Sequence, residues 1–104
     1  MKEFLMVGCG TIGERHAVLA AENGRLTAVC DIMAERARAF SRKYQCYGYT
    51  SINDMLNAHP QADVLIVCTP NGLHAQHCIA GLKASKHVLC EKPIGLNAFE
   101  AEEL

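Results

Sequence analysis

Residues 6–16, "MVGCGTIGERH", place three glycines at Gly8, Gly10 and Gly13 between an apolar run and a helix-forming segment. The preceding "EFLMVG" (3–8) has the continuous apolar character of a buried parallel strand. Residues 11–23 follow as a helix, with Ile12, His16, Leu19 and Ala20 on one face and Asn23-Gly24 closing it. Each glycine has a distinct expected task. Gly8 permits a tight turn, Gly10 lets the backbone approach a pyrophosphate, and Gly13 allows the helix to pack closely on the sheet. The free N–H groups at the helix start, with a partial charge of roughly +0.5, favour a phosphate there. A glycine-rich turn without a ligand satisfies the same spacing, so the motif by itself leaves both readings open.

The rest of the chain repeats the strand–helix alternation. "RLTAVCD" (25–31) reads as a second strand and residues 33–44 as an amphipathic helix presenting Met33, Ala37 and Phe40. "CYGYT" (46–50) is a short third strand. "SINDML" (51–56) opens with Ser51 as N-cap and Asp54 at the capping-box position. "ADVLIVCTP" (62–70) is a fully apolar strand stopped by proline. Residues 71–84 form a helix with Ala75, Cys78, Ile79 and Leu82 at helical spacing. "KHVLCEKP" (86–93) is the fifth strand. Five strands separated by helices predict an α/β fold with a doubly wound parallel sheet, helices on both faces, over residues 1–104.

Composition narrows the functional classes. The 104 residues are half hydrophobic and one fifth charged, with a net charge of −1, which gives no basic surface for nucleic acid or an anionic membrane. The apolar runs are strand-length, far short of a bilayer span, and no signal peptide is recognisable. Cys9, Cys30, Cys46, Cys68, Cys78 and Cys90 are scattered, without a C-x-x-C pair. They read as small buried hydrophobes of a reducing, cytoplasmic setting, with neither a disulfide framework nor a structural zinc.

Asp31 gives the glycines a chemical context. It lies 18 residues beyond Gly13, at the carboxyl end of the second strand, where a carboxylate accepts hydrogen bonds from an adenosine ribose. It is equally placed to cap the helix that starts near Met33, and the two roles are compatible. A carboxylate about 4 Å from a 2′-phosphate costs on the order of 4 kcal/mol at an effective dielectric near 20, which favours NAD over NADP. Arg36 can answer a 2′-phosphate, but its position a turn into the helix reads as a solvated surface charge.

Two more clusters fall at the carboxyl ends of strands, where open α/β sheets bind ligands. In "CTPNGLH" (68–74), Pro70 fixes the strand exit, Asn71 is a candidate N-cap and His74 lies in the first helical turn. His74 and His77 lack a third ligand, so no metal site is expected. In "CEKP" (90–93), Lys92 can orient a substrate hydroxyl or shuttle its proton, or else form a surface ion pair with Glu91.

Together these clusters identify a family. "VGCGTIGERH", "VCD", "YTSINDML", "ADVLIVCTPNGLHAQHCIAGLKASKHVLCEKP" and the closing "EAEEL" resemble the N-terminal domain of the glucose–fructose oxidoreductase / inositol dehydrogenase / rhizopine catabolism (Gfo/Idh/MocA) oxidoreductases, over nearly the whole chain. "CTPNxxH" and "KHVLCEKP" at their mutual spacing carry the resemblance far more than the glycines do. It implies hydride transfer between a nicotinamide cofactor and a secondary alcohol of a sugar, cyclitol or related substrate, with Lys92 as the catalytic residue. It further implies cofactor contacts from Gly8, Gly10, Thr11, Ile12, Gly13, Asp31, Ile32, Cys68, Thr69, Pro70, Asn71, His74, Glu91, Lys92 and Pro93. His16 matches the family pattern as well.

Two departures stand out. Ser85 occupies a position where the family usually has glycine, and a left-handed conformation there is mildly strained for serine. The second is the absence of the family's C-terminal α/β domain, which forms most of the substrate pocket and the oligomer interface and supplies a further acid/base histidine or aspartate. Asn97 and "AFEAEEL" (98–104) start a helix that stops after barely two turns, and the fifth strand is an apolar sheet edge. The expectation is a fragment of a homo-oligomeric enzyme, inactive alone. The alternatives are a free-standing dinucleotide-sensing module that regulates a partner, and a family member that has lost activity.

Overall fold

The computed structural model describes residues 1–69 and 71–90, apart from the side chains at positions 71, 72 and 74. Strands β1 (Glu3–Val7), β2 (Arg25–Cys30), β3 (Tyr47–Tyr49), β4 (Val64–Val67) and β5 (His87–Cys90) alternate with helices α1 (Thr11–Asn23), α2 (Ala34–Tyr44), α3 (Ile52–Ala58) and α4 (Asn71–Lys83). The strands form one parallel sheet in the order β3-β2-β1-β4-β5. The chain winds outward from β1 to β3, then crosses back to β4 beside β1. That reversal opens a crevice at the carboxyl ends of β1 and β4.

The alternation of side chains along the buried strands separates two cores. Leu5 and Val7 point to one face and pack with Leu65, Val67, Met55, Leu56 and Cys78. Phe4 and Met6 point to the other and pack with Ala17, Ala20, Val29, Val64 and Ile66. Leu5, Met6, Met55, Leu65, Val29 and Val67 are fully buried, each contributing roughly 1.5–3 kcal/mol.

Helix rotation departs from the sequence expectation. In α1 the buried residues are Gly13, Ala17 and Ala20, while Ile12 and Leu19 are 45% and 49% exposed. The cause is close packing: a Cβ on Gly13 would lie 2.2 Å from the Gly8 carbonyl oxygen, so only small side chains fit against the sheet. Helix α4 behaves likewise. Cys78 and Gly81 face the sheet, a Cβ on Gly81 would come within 2.7 Å of Leu65 Cδ2, and Ala75, Ile79 and Leu82 turn outward. In α2, Ala37 is buried and Phe40 packs against the core, but Met33 lies outside the helix and half exposed.

Local signals mostly hold. Ser51 Oγ accepts from the Asp54 N–H at the start of α3. Ser85 adopts the left-handed conformation (φ 63°), and the Lys86 N–H returns to the Gly81 carbonyl to close α4. Gly24, by contrast, is extended, and its glycine is explained by contact with the Lys2 backbone. The Lys86 ammonium is buried and donates to the carbonyls of His59, Pro60 and Ala62, tying β5 to the loop before β4. No helix among the described residues is long and apolar enough to cross a membrane.

Candidate functional site

Gly8 leaves β1 with φ +99°, and a Cβ there would sit 2.7 Å from the Cys68 carbonyl group. The turn after β1 therefore abuts the end of β4. Its N–H donates to the Cys30 carbonyl at 2.8 Å, which ties the same turn to the end of β2. Three strand ends thus converge on one loop.

Gly10 is the N-cap of α1 and has no side chain to cap the first-turn N–H groups of that helix. Unlike Gly8 and Gly13, Gly10 is not crowded: among the described residues, the heavy atom near a Cβ placed there is Arg36 Nη1, at 3.9 Å. Nothing among the described residues requires glycine at this point. A cradle that a side chain would fill, above an uncapped helix start, fits a pyrophosphate. Of the residues that follow, Thr11 and Ile12 are exposed and Gly13 is buried.

Asp31 is buried, and its two oxygens are divided between neighbours. Oδ2 accepts from the Cys9 N–H and Oδ1 from the Met33 N–H, both at 2.8 Å. The capping role expected from the sequence is present, joined by a buttress to the glycine turn that the sequence did not suggest. Each carboxylate oxygen keeps a second lone pair for a ligand hydroxyl. Ile32 is 75% exposed beside it. Burial, reinforced by the nearby Asp31 charge, pushes the Cys9 thiol up to about 12 and the Cys30 thiol up to about 11, so both are neutral packing groups at the site.

On the β4 side, Cys68 and Thr69 are half-buried, and the Cys68 N–H donates to the Val7 carbonyl. Thr69 Oγ1 and His77 Nδ1 hydrogen-bond at 3.0 Å. His77, noted in the sequence only as a possible companion of His74, is thus engaged in holding Thr69. Its spacing of eight residues from Thr69 is the signal, because one strand exit and two helical turns bring them together. The backbone of Asn71 and His74 belongs to the first turn of α4. Pro70, Glu91, Lys92 and Pro93, and the helix expected from Asn97, lie outside the described residues. Among the described residues no three His, Cys, Asp or Glu side chains come together in a manner that could hold a metal ion. Arg36 is solvent-exposed, as expected, yet its guanidinium also stands over Gly10.

A parallel sheet in the order 3-2-1-4-5, with a glycine turn at its switch point and an acid at the end of β2, defines a Rossmann-type nucleotide-binding domain. Comparison with known proteins makes this specific. Residues 2–104 match the family model GFO_IDH_MocA, "Oxidoreductase family, NAD-binding Rossmann fold". Glucose-6-phosphate 3-dehydrogenase of Bacillus subtilis is 32% identical over 97% of this chain and 29% of its own length. The scyllo-inositol 2-dehydrogenase (NADP(+)) IolU of the same organism is 35% identical over all of this chain and 32% of its own. The WlbA dehydrogenase of Bordetella pertussis, solved with NADH and UDP-GlcNAcA, superposes with a TM-score of 0.81 at 35% identity, covering 89% of this chain and 29% of that one. The chain belongs to the GFO_IDH_MocA oxidoreductase family and is an NAD-binding Rossmann domain of it. It spans about three tenths of the length of these relatives.

Proposed function

We propose that this chain is the cofactor-binding part of an NAD-dependent dehydrogenase acting on a secondary alcohol of a sugar, cyclitol or related substrate. The observation that carries the reading is the space at Gly10, at the start of α1 and beside Arg36, in the turn that Asp31 braces through the Cys9 N–H. In this reading Gly8, Gly10, Thr11, Ile12 and Gly13 hold the pyrophosphate, and Asp31 with Ile32 receives the adenosine ribose. Cys68, Thr69, Pro70, Asn71, His74, Glu91, Lys92 and Pro93 serve the nicotinamide half. The bound cofactor supplies the carbon that accepts or donates hydride. Lys92 orients the substrate hydroxyl and passes its proton. A second α/β domain would complete the substrate pocket and the homo-oligomer, and the abundance of free thiols suits a cytoplasmic setting.

NAD rather than NADP follows from Asp31, whose buried carboxylate repels a 2′-phosphate, against the contrary pull of Arg36. Because Asp31 also holds two backbone N–H groups, affinity alone misreports its role, and the informative quantity is a ratio. Titrating NADH and NADPH into the protein should give at least tenfold tighter NADH binding, with the ratio collapsing in Asp31→Asn. NADPH binding as tight as NADH in the unaltered protein overturns the assignment. For the reaction, Lys92→Ala in the whole protein should lower polyol turnover by about 10²-fold or more while cofactor affinity holds. Undiminished turnover in that variant would remove Lys92 from the mechanism.

A further inference from the structure

The sulfur atoms of Cys78, on the sheet-facing side of α4, and Cys90, at the end of β5, lie 2.9 Å apart. Both elements are packed on β4. Val67 pairs with Cys90 across the β4–β5 ladder, and Gly81 seats α4 against Leu65 and Val88. Cys78 is completely buried, whereas Cys90 is half-buried, so Cys90 is the member of the pair nearer to solvent. The remaining thiols are arranged differently: Cys9 Sγ, for example, donates to the Cys30 carbonyl oxygen rather than to a sulfur. The scattered cysteine positions conceal this pair, since twelve positions separate its members.

We propose that Cys78 and Cys90 form a reversible dithiol–disulfide site oxidised by peroxide. The Cys90 sulfur attacks one peroxide oxygen, the O–O bond breaks, and the products are a Cys90 sulfenic acid and water. The Cys78 sulfur then attacks the Cys90 sulfur. The S–S bond forms, the S–O bond breaks, and the departing hydroxide leaves as a second water with the Cys78 proton. Two thiols lose two electrons to one hydrogen peroxide, which is reduced to two waters. Burial, with the adjacent Cys90 thiol, pushes the Cys78 thiol up to about 12, so Cys78 is not the sulfur that meets the oxidant first. The crosslink would staple α4 to the end of β5, two positions before Lys92 in the sequence.

The test is mild hydrogen peroxide treatment of the folded full chain, followed by alkylation under denaturing conditions and peptide mapping. The expected result is two fewer alkylated cysteines, a Cys78–Cys90-linked peptide, a melting temperature raised by several degrees, and full reversal by dithiothreitol. Cys78→Ser should trap Cys90 as a dimedone-reactive sulfenic acid with no linked peptide, and Cys78→Ala serves if the serine is not tolerated. Six alkylated cysteines after treatment, crosslinks through other cysteines or between chains, or Cys90 overoxidised while Cys78 stays free would each overturn the proposal.

Discussion

Among the described residues, a methyl group on Gly10 would meet nothing nearer than an arginine tip at 3.9 Å, whereas one on Gly13 would collide with a backbone oxygen at 2.2 Å. Two substitutions that look alike in sequence therefore have opposite consequences. Gly10→Ala should leave the urea midpoint nearly unchanged but weaken NADH binding at least tenfold. Gly13→Ala should destabilise the fold by about 1–3 kcal/mol, because backbone must shift. Equal loss of stability in both variants would contradict the cradle. Ser85 offers the converse case: it holds φ 63° without the freedom of glycine, so Ser85→Gly should add roughly 1 kcal/mol of stability by denaturant titration. The roles of Gly8, Gly13 and Ser85 were legible from residue type and position, since each depends on a conformation or a contact that only the neighbouring chain imposes.

At the scale of elements, the loop between α3 and β4 is held by side chains distant in sequence. Tyr49 Oη hydrogen-bonds His59 Nε2 at 3.0 Å, Tyr49 and Tyr47 rings flank the imidazole, and Lys86 fastens the carbonyls beside it. Burial, aided by the Lys86 charge, holds the His59 pKa below its ordinary value of 6.5. The folded state therefore binds a proton here less readily than the unfolded chain does. Stability from this group is fully present above 6.5 and declines as pH falls below it, until the folded protein itself takes up the proton. A urea series between about pH 7.5 and pH 5 should show that slope, and His59→Gln should flatten it. Helix faces were the least legible feature at this scale. Ile12, Leu19, Ile79 and Leu82 satisfy helical periodicity, but the sheet admits α1 and α4 only on their small-residue sides. Periodicity reports where apolar residues recur, while helix depth is set by backbone contacts that no local pattern contains.

For the molecule as a whole, three strand ends meet at the β1 turn through the Gly8–Cys30, Gly8–Cys68 and Cys9–Asp31 contacts, so a ligand seated there bears on the entire sheet. Saturating NADH should raise the global unfolding free energy, by about 2.7 kcal/mol at a hundredfold excess over Kd, and scanning calorimetry would read it. Asp31→Asn should diminish that gain as well as lowering the unliganded midpoint. The alternating strands and helices, the glycine turn, the acid closing β2 and the "CTPNGLH" and "CEKP" blocks were all determined by sequence, because each is a local pattern of polarity or conformation. Tertiary structure alone decided that Asp31 braces the turn it serves, that Arg36 reaches over Gly10, that His77 holds Thr69, and that Cys78 meets Cys90. These are contacts between elements far apart in the chain, and only the winding of the parallel sheet brings them to common ground.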